Sequence, residues 1–357
     1  MRPPPRWMRR LALAPLAVAL SLALLGTSPL WLLVSAAVSP LFTGRLRPVR
    51  VLWLATTYSL VESGALIAMF AMWIASGFGW RVQSPAFQRA HYQLCGHALA
   101  ILYRQAKWVL RLTVQIDGVT PDSLQRPRPL LVLSRHAGPG DSFLLAHALI
   151  NWYAREPRIV VKDSLQWDPV IDVLLNRLPN RFIAPGDGER AERQIADLAE
   201  GLDNDDALLI FPEGGNFTPE RRKRGITRLR RLGLQATARR AERMRNVLPP
   251  RPGGVLAALE ASPRATVVLV GHTGVDHLRT VTDVWRELPM DKSIVMQWWL
   301  ENPADIPNDI DGRVEWLYSW WARIDAWISQ HKVVPERTEL GGGVPEAAPD
   351  LTVPPAV

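Results

Sequence analysis

One cysteine in 357 residues is too few for an internal disulfide or a cysteine-built zinc site. Cys95 lies in HYQLCGHALA, an apolar helical pattern with no base-bearing motif beside it, so it reads as a packed residue and not as a nucleophile. The chain has no Gly-x-Gly-x-x-Gly or Gly-x-x-x-x-Gly-Lys loop to cradle a nucleotide, and no internal repeat. It has no Gly-x-Ser-x-Gly turn either, which disfavours serine hydrolase chemistry. The longest absence is of charge: none occurs from Leu11 to Gly44, a stretch well beyond the ~20 residues that cross a bilayer.

That run implies a membrane helix. A second, Val51 to Ala75, is interrupted only by Glu62, and the short link TGRLRPVR makes the pair a hairpin within residues 1–80. A cleaved signal peptide is the rival reading of the first run, with Ser35-Ala36-Ala37 as the cleavage site, but the apolar stretch is long for that. Arg2, Arg6, Arg9 and Arg10 favour a cytoplasmic N-terminus. Arg45, Arg47 and Arg50 in the link dilute that bias, and a shallow hairpin that never fully crosses would remove the conflict. Ser84-Pro85 then opens a helical stretch to about Arg111.

Beyond it, short apolar strands alternate with helical periodicity. Strands are expected over 113–116, 130–134, 158–162, 181–184, 207–211 and 266–270, and helices near 141–154, 164–178, 188–201 and 225–245. This order predicts an α/β domain over residues 81–333, with a largely parallel sheet flanked by helices. Asp309 to Gln330 reads as a helix with a tryptophan stripe that implies packing. From Pro335 onward there is no periodicity, so residues 334–357 are expected to be disordered.

The chemistry-bearing stretch is LVLSRHAGPGD, Leu131 to Asp141. A buried strand delivers His136 into a Gly-Pro-Gly turn, and five residues later Asp141 opens an apolar helical pattern, so its carboxylate is expected to face back to the imidazole. A histidine with a carboxylate on one ring nitrogen is left with the other free to take a proton from a hydroxyl. A second strand, Ala207 to Phe211, runs into PEGGNFTP at Pro212 to Pro219.

Together these blocks resemble the glycerolipid (1-acylglycerol-3-phosphate) acyltransferase superfamily, which carries His-x4-Asp and, some 70 to 80 residues later, Phe-Pro-Glu-Gly-Thr. The resemblance covers about residues 85 to 330 and is nearest the lysocardiolipin acyltransferase-like branch, whose Leu-x-Pro-Arg-x-x-Gly and late Trp-Leu-Tyr elements match LPPRPGG at Leu248 to Gly254 and EWLY at Glu315 to Tyr318. Three departures stand out. Arg135 precedes the histidine where the family has asparagine, Gly215 replaces the threonine, and the family's phosphate-binding Phe-Ile-x-Arg ends in Pro185.

The resemblance implies O-acyl transfer to a lysophospholipid acceptor from an acyl-CoA or acyl-carrier-protein thioester. That co-substrate is the only one needed, with no cofactor and no metal. His136 and Asp141 would be catalytic, while Glu213, Gly214 and Gly215 would shape the acceptor pocket. Amides of the Gly138-Pro139-Gly140 turn would face the oxyanion, and Lys162 and Arg181 would contact phosphate. A glycolipid or aminolipid acceptor, or an inactive membrane-surface binding protein of the same fold, are the alternative readings.

Arg221 to Arg245 holds eleven basic residues. With two acids in Glu220 to Arg245 the segment carries +9, against +8 for the whole chain, so the charge is concentrated and not general. No aromatic residues interleave it, which favours anionic headgroups or acyl-CoA phosphates over nucleic acid. Arg221 and Arg222, closest to the Glu213 loop, are expected to take over phosphate holding, on a membrane-bound protein whose catalytic domain faces the cytoplasm.

Overall fold

The computed structural model describes residues 3–118, 128–138, 140–184, 188–276, 278 and 281–332. The tail at 334–357, Pro139 and Pro185 lie outside them. A short helix, α1 (Arg6–Met8), and a π-turn lead into α2 (Ala14–Val38) and α3 (Arg47–Ala75), the expected hairpin. Both arms, 6–41 and 47–75, are long and apolar enough to cross a membrane. Helix α4 (Pro85–Leu110) follows, ended by Arg111 in the left-handed region. Within it Cys95 has its thiol pushed up to about 12 by burial, as befits a packed, unreactive group.

Among the described residues seven strands form one sheet: β1 (Leu112–Gly118), β2 (Leu130–Ser134), β3 (Glu156–Lys162), β4 (Arg181–Ile183), β5 (Asp206–Ile210), β6 (Thr266–Thr273) and β7 (Lys292–Glu301). Their order is β1-β7-β6-β2-β5-β3-β4. All neighbours run parallel except β6 and β7. The sheet is therefore largely parallel, as expected, with β7 an additional strand that the sequence did not lead us to expect. In β7 the buried residues alternate as Ile294, Met296 and Trp298, the period-two pattern of a strand with one face inward.

Strands β2, β5 and β6 are buried along their whole length. Alternate residues serve opposite faces. Leu131, Leu133, Leu208, Ile210, Val267 and Leu269 join the core beneath α7 (Gly188–Ala199), α8 (Pro219–Arg231), α9 (Gln235–Arg243), α10 (Pro252–Ala261) and α12 (Ile310–His331). Leu130, Val132, Ala207, Leu209, Val268 and Val270 join the other, with Leu145 of α5 (Asp141–His147) and with Ala148 and Leu149 beyond it. Such continuous apolar strands need helices on both sides.

Two helix boundaries differ from expectation. The basic stretch is not one helix over 225–245: α8 starts at Pro219, capped by Thr218, and Gly233 (φ +77°) breaks the run before α9. Likewise the single helix expected over 164–178 is a 3-10 turn, Asp163–Trp167, followed by α6 (Pro169–Leu175), because Pro169 restarts the helix with Asp168 as its cap. The tryptophan stripe of α12 packs as expected: Trp316, Trp320 and Trp321 are buried against the sheet side. A further helix, α11 (Val281–Glu287), precedes β7.

The hairpin docks on this domain. Ala65, Leu66 and Met69 of α3 pack with Tyr92 of α4 and with Val173, Leu174 and Leu178 at α6. Arg177 donates to the carbonyl of Met69 at 2.7 Å, and the Tyr58 hydroxyl donates to Asp168 at 2.5 Å, one turn before the half-buried Glu62. At the N-terminus Arg9 and Arg10 meet the fully buried Asp172 at 2.9 and 3.6 Å. Removing one partner of a buried ion pair leaves the other charge uncompensated, at a cost of about 3 kcal/mol. Asp172→Ala is expected to lower the unfolding free energy by about that amount in detergent, against about 1 kcal/mol for the single hydrogen bond lost in Tyr58→Phe. Equal denaturation midpoints for Asp172→Ala and the parent protein would show that the hairpin is not held through this pair.

Candidate active site

The register of three adjacent strands places the site. Leu133 of β2 pairs with Ile210 of β5 and with Leu269 of β6. Three residues further along each chain come His136, Glu213 and His272, so residues far apart in sequence arrive side by side at the carboxyl end of the sheet. This is where open α/β sheets present their reactive groups.

His136 is the accessible member, with its side chain 15% exposed. Its Nδ1 lies 3.3 Å from Asp141 Oδ2 and its ring stacks on Phe211, centroids 4.4 Å apart. A buried carboxylate accepts and does not donate, so the proton sits on Nδ1 and Nε2 is left as an acceptor. Asp141 is the first residue of α5 and makes no forward cap; Oδ2 instead takes the amide of Gly138 at 2.6 Å, which folds the turn back over the carboxylate. Burial alone would raise the Asp141 carboxyl, but the charge of His272, the His136 bond and the Gly138 amide outweigh it and hold the group below its usual range. The Gly138 amide is thus engaged, and proline has none, so the expected oxyanion role of that turn is not supported at those two positions.

Glu213, expected at the acceptor pocket, is engaged with the backbone on both oxygens. It is 2% exposed, and both carboxylate oxygens take backbone amides: His136 N–H on Oε1 at 3.2 Å and Leu248 N–H on Oε2 at 2.9 Å. Phe217 N–H donates to the His136 carbonyl at 2.7 Å, so the two loops are bonded in both directions. Glu213 therefore ties the His136 peptide to the Leu248 peptide. Its partner glycines have distinct reasons. Gly214 (φ +66°) lies where a Cβ would meet the Arg251 guanidinium at 3.1 Å, and a Cβ on Gly215 would lie 3.4 Å from Arg221 Nη1.

The cations expected at phosphate divide into two groups. Arg222 is committed to structure: Nε donates to the Met244 carbonyl at 2.5 Å and Nη2 to those of Glu242 and Ala241 at 2.7 and 3.3 Å, closing the end of α9. Arg181, bonded to the Asn180 carbonyl at 3.1 Å, lines a separate cavity of about 450 Å³ with Gln83, Gln166 and Phe182, which no residue of the His136 cluster lines. Lys162 is exposed at the end of β3, beyond β5 from His136. Arg221 stays beside the Gly215 loop, its Nη1 on the Asn216 carbonyl at 3.0 Å. Arg251 and His272 were missed in the sequence. Both carried a signal, Arg251 inside LPPRPGG and His272 in GHTG at the end of an apolar run, which repeats the strand-histidine-turn pattern of SRHAG. Among the described residues no cluster of His, Cys, Asp and Glu could hold a metal.

Fold and site together place a histidine and the carboxylate bonded to it at the open end of a largely parallel α/β sheet. Residues 115–273, which hold His136, Asp141, Glu213 and His272, match the family described as Acyltransferase. This match agrees with the resemblance of the His136 and Glu213 blocks to the glycerolipid acyltransferase superfamily. Among solved structures, the 1-acyl-sn-glycerophosphate (LPA) acyltransferase PlsC from Thermotoga maritima aligns with 79% of this chain and 98% of its own, at 14% identity and a TM-score of 0.46. No curated protein matches the sequence.

Glu213 gives a pH signature. Burial pushes its carboxyl up to about 8, against the pull of Arg135 and the two amides. A group whose folded value is raised above its unfolded one contributes stability that is complete below the unfolded value and is lost as pH rises through the folded one. Between about pH 4.5 and 8 the melting temperature is therefore expected to fall, and Glu213→Gln, which cannot ionise, should flatten that fall. Parallel curves for the two proteins would overturn this assignment.

Proposed function

We propose that the protein is a membrane-associated O-acyltransferase that moves an acyl chain from an acyl thioester to the free hydroxyl of a lysophospholipid, with no further cofactor. The observation that carries this reading is the His136–Asp141 pair, a base with a fixed tautomer and an exposed edge in a domain of acyltransferase family. In this mechanism His136 Nε2 takes the proton of the acceptor hydroxyl as its oxygen attacks the thioester carbonyl. Asp141 stabilises the imidazolium that forms. Collapse of the tetrahedral intermediate breaks the carbon–sulfur bond, and the proton passes to the departing thiolate. No acyl-enzyme is formed.

For the acceptor phosphate we assign Arg251 and Arg221, which flank the Gly214–Gly215 loop one peptide from Glu213. Arg251 has its guanidinium lowered by burial and by neighbouring Arg228, the situation of cations gathered without an acid between them. Among the described residues no carboxylate forms an ion pair with Arg221, Arg228 or Arg251. A phosphate monoester or diester supplies the missing charge. Lys162 ends β3, the strand beside β5, and Arg181 lines a separate cavity; both are retained as outer contacts.

Apolar surface supports a membrane-borne acceptor. The hairpin exposes Leu20, Leu33 and Phe70, and the domain itself exposes Phe143 of α5 and Leu165 and Trp167 just before Asp168. In our reading the hairpin anchors the domain on the cytoplasmic face and brings the open end of the sheet to the lipid.

His136→Ala is expected to lower transfer at least ~100-fold, the lower range for a lost general base, with vesicle binding unchanged. Acyl-CoA-dependent release of free thiol with lysophosphatidic acid and with a phosphate-free monoacylglycerol reads the reaction directly; near-normal turnover of the variant sinks the mechanism. Arg251→Ala should raise KM for the phosphate-bearing acceptor ~10-fold or more, the effect of removing a charged hydrogen bond, and leave the neutral acceptor alone. An equal effect on both acceptors would remove the phosphate assignment.

A further inference from the structure

His272 lies level with His136, and the acyl-transfer mechanism leaves it idle. It ends β6 with 4% exposure. Its Nε2 lies 3.2 Å from the Arg135 carbonyl and 3.6 Å from Asp141 Oδ2. Both neighbours are acceptors, so Nε2 carries a proton. The bond goes to the Arg135 carbonyl, while the carboxylate lies just outside hydrogen-bond range and feels the N–H as an oriented dipole or charge.

Arg135 returns the contact. Its Nη1 donates to the His272 carbonyl at 2.5 Å and pairs with Asp276, and its Nη2 donates to the Asn246 carbonyl at 3.0 Å. The side chain of each residue thus holds the backbone of the other, across the β2–β6 boundary. Asp276 is fixed in turn by Thr273 Oγ1 at 2.5 Å and the Gly274 amide at 3.1 Å. Arg135 is 1% exposed, so a full positive charge is buried directly behind the catalytic histidine and is balanced within this cluster. Burial would raise Asp276, but Arg135 leads the opposing interactions that hold it down at about 2, ionised throughout the neutral range.

We propose that His272 is a positioning residue for acyl transfer: it anchors the Arg135 carbonyl at the root of the His136 loop, and from the β6 side its N–H draws the Asp141 carboxylate through space toward the orientation that meets His136 Nδ1. Asp141 Oδ2 is hydrogen-bonded from its own turn by Gly138 and from the base by His136, and at 3.6 Å it faces the His272 N–H on the neighbouring strand through space. It also accounts for arginine at position 135. A side chain long enough to reach Asp276 and the Asn246 carbonyl joins the histidine loop to β6 and to the segment before Leu248, the same segment that Glu213 holds.

The inference rests on the reading of His136 as the base, and a double-mutant cycle separates the two. Misplacing a catalytic group by about 1 Å costs up to ~100-fold. His272→Ala is therefore expected to lower kcat by ~10- to 100-fold with KM for lysophosphatidic acid unchanged, and His272→Gln, which keeps an N–H toward the Arg135 carbonyl, should recover part of the loss. In an Asp141→Asn background no carboxylate remains to be held, and the same His272 substitution should cost less than ~3-fold, because coupled residues are not additive. Equal fold-losses in the two backgrounds, or a change confined to KM, would overturn the proposal. If His272→Ala does not fold, His272→Gln carries the cycle under the same criteria. A fully active His136→Ala would instead refute the mechanism itself, whereas an inactive His136→Ala with an additive cycle removes only the role of His272.

Discussion

The parallel register of β5, β2 and β6 is the constraint on which everything else at the site depends. A strand pairing shifted by one residue would reverse every side chain on that strand between the two cores. Here Leu131 and Leu133 fill one core and Leu130 and Val132 the other, so such a shift would exchange side chains fitted to two closely packed cores. With the register fixed, His136, Glu213 and His272 must emerge level with one another. Hydrophobic packing in the middle of the sheet thus sets polar geometry at its end.

The charges buried at that end are each balanced locally. Arg135 faces Asp276, and Asp141 faces two histidines and an amide, while Glu213, its carboxyl pushed up to about 8 by burial, takes two amides. Isolated ions at such depth would be costly, and pairing alone seldom adds net stability. The gain is in direction: each contact joins a different strand or loop to the peptide that carries His136. The imidazole edge is left as the exposed part of an otherwise closed network, between Phe211 on one face and the Asp141 carboxylate at Nδ1.

The hairpin obeys the same logic of shared burial. Its apolar length satisfies the requirement for a membrane helix, yet α3 also contributes Leu66 and Met69 to a core shared with α4 and α6, and the arginines ahead of α2 close on Asp172. The hairpin is thus a layer of the folded domain as well as an apolar surface. Glu62 lies on α3 one turn beyond Tyr58, which bonds the cap of α6 at Asp168.

Much of this was legible in the chain. The alternation of apolar strands with helical periods set the α/β class, the charge-free run set the hairpin, and the five-residue step from His136 to Asp141 put a carboxylate within reach of its imidazole, because a turn followed by a helix start is local geometry. Partners fixed by pairing between distant strands were not legible. Glu213 looked like a pocket residue until its loop was seen to close on the His136 and Leu248 amides, and Arg222 looked like a phosphate ligand until α9 folded back against α8 and offered its carbonyls. Arg251 and His272 acquired neighbours only through α10 and β6. Local spacing determines which groups can meet along one turn of chain, whereas strand order and register decide which loops share a sheet edge, and no residue in either loop records its partner.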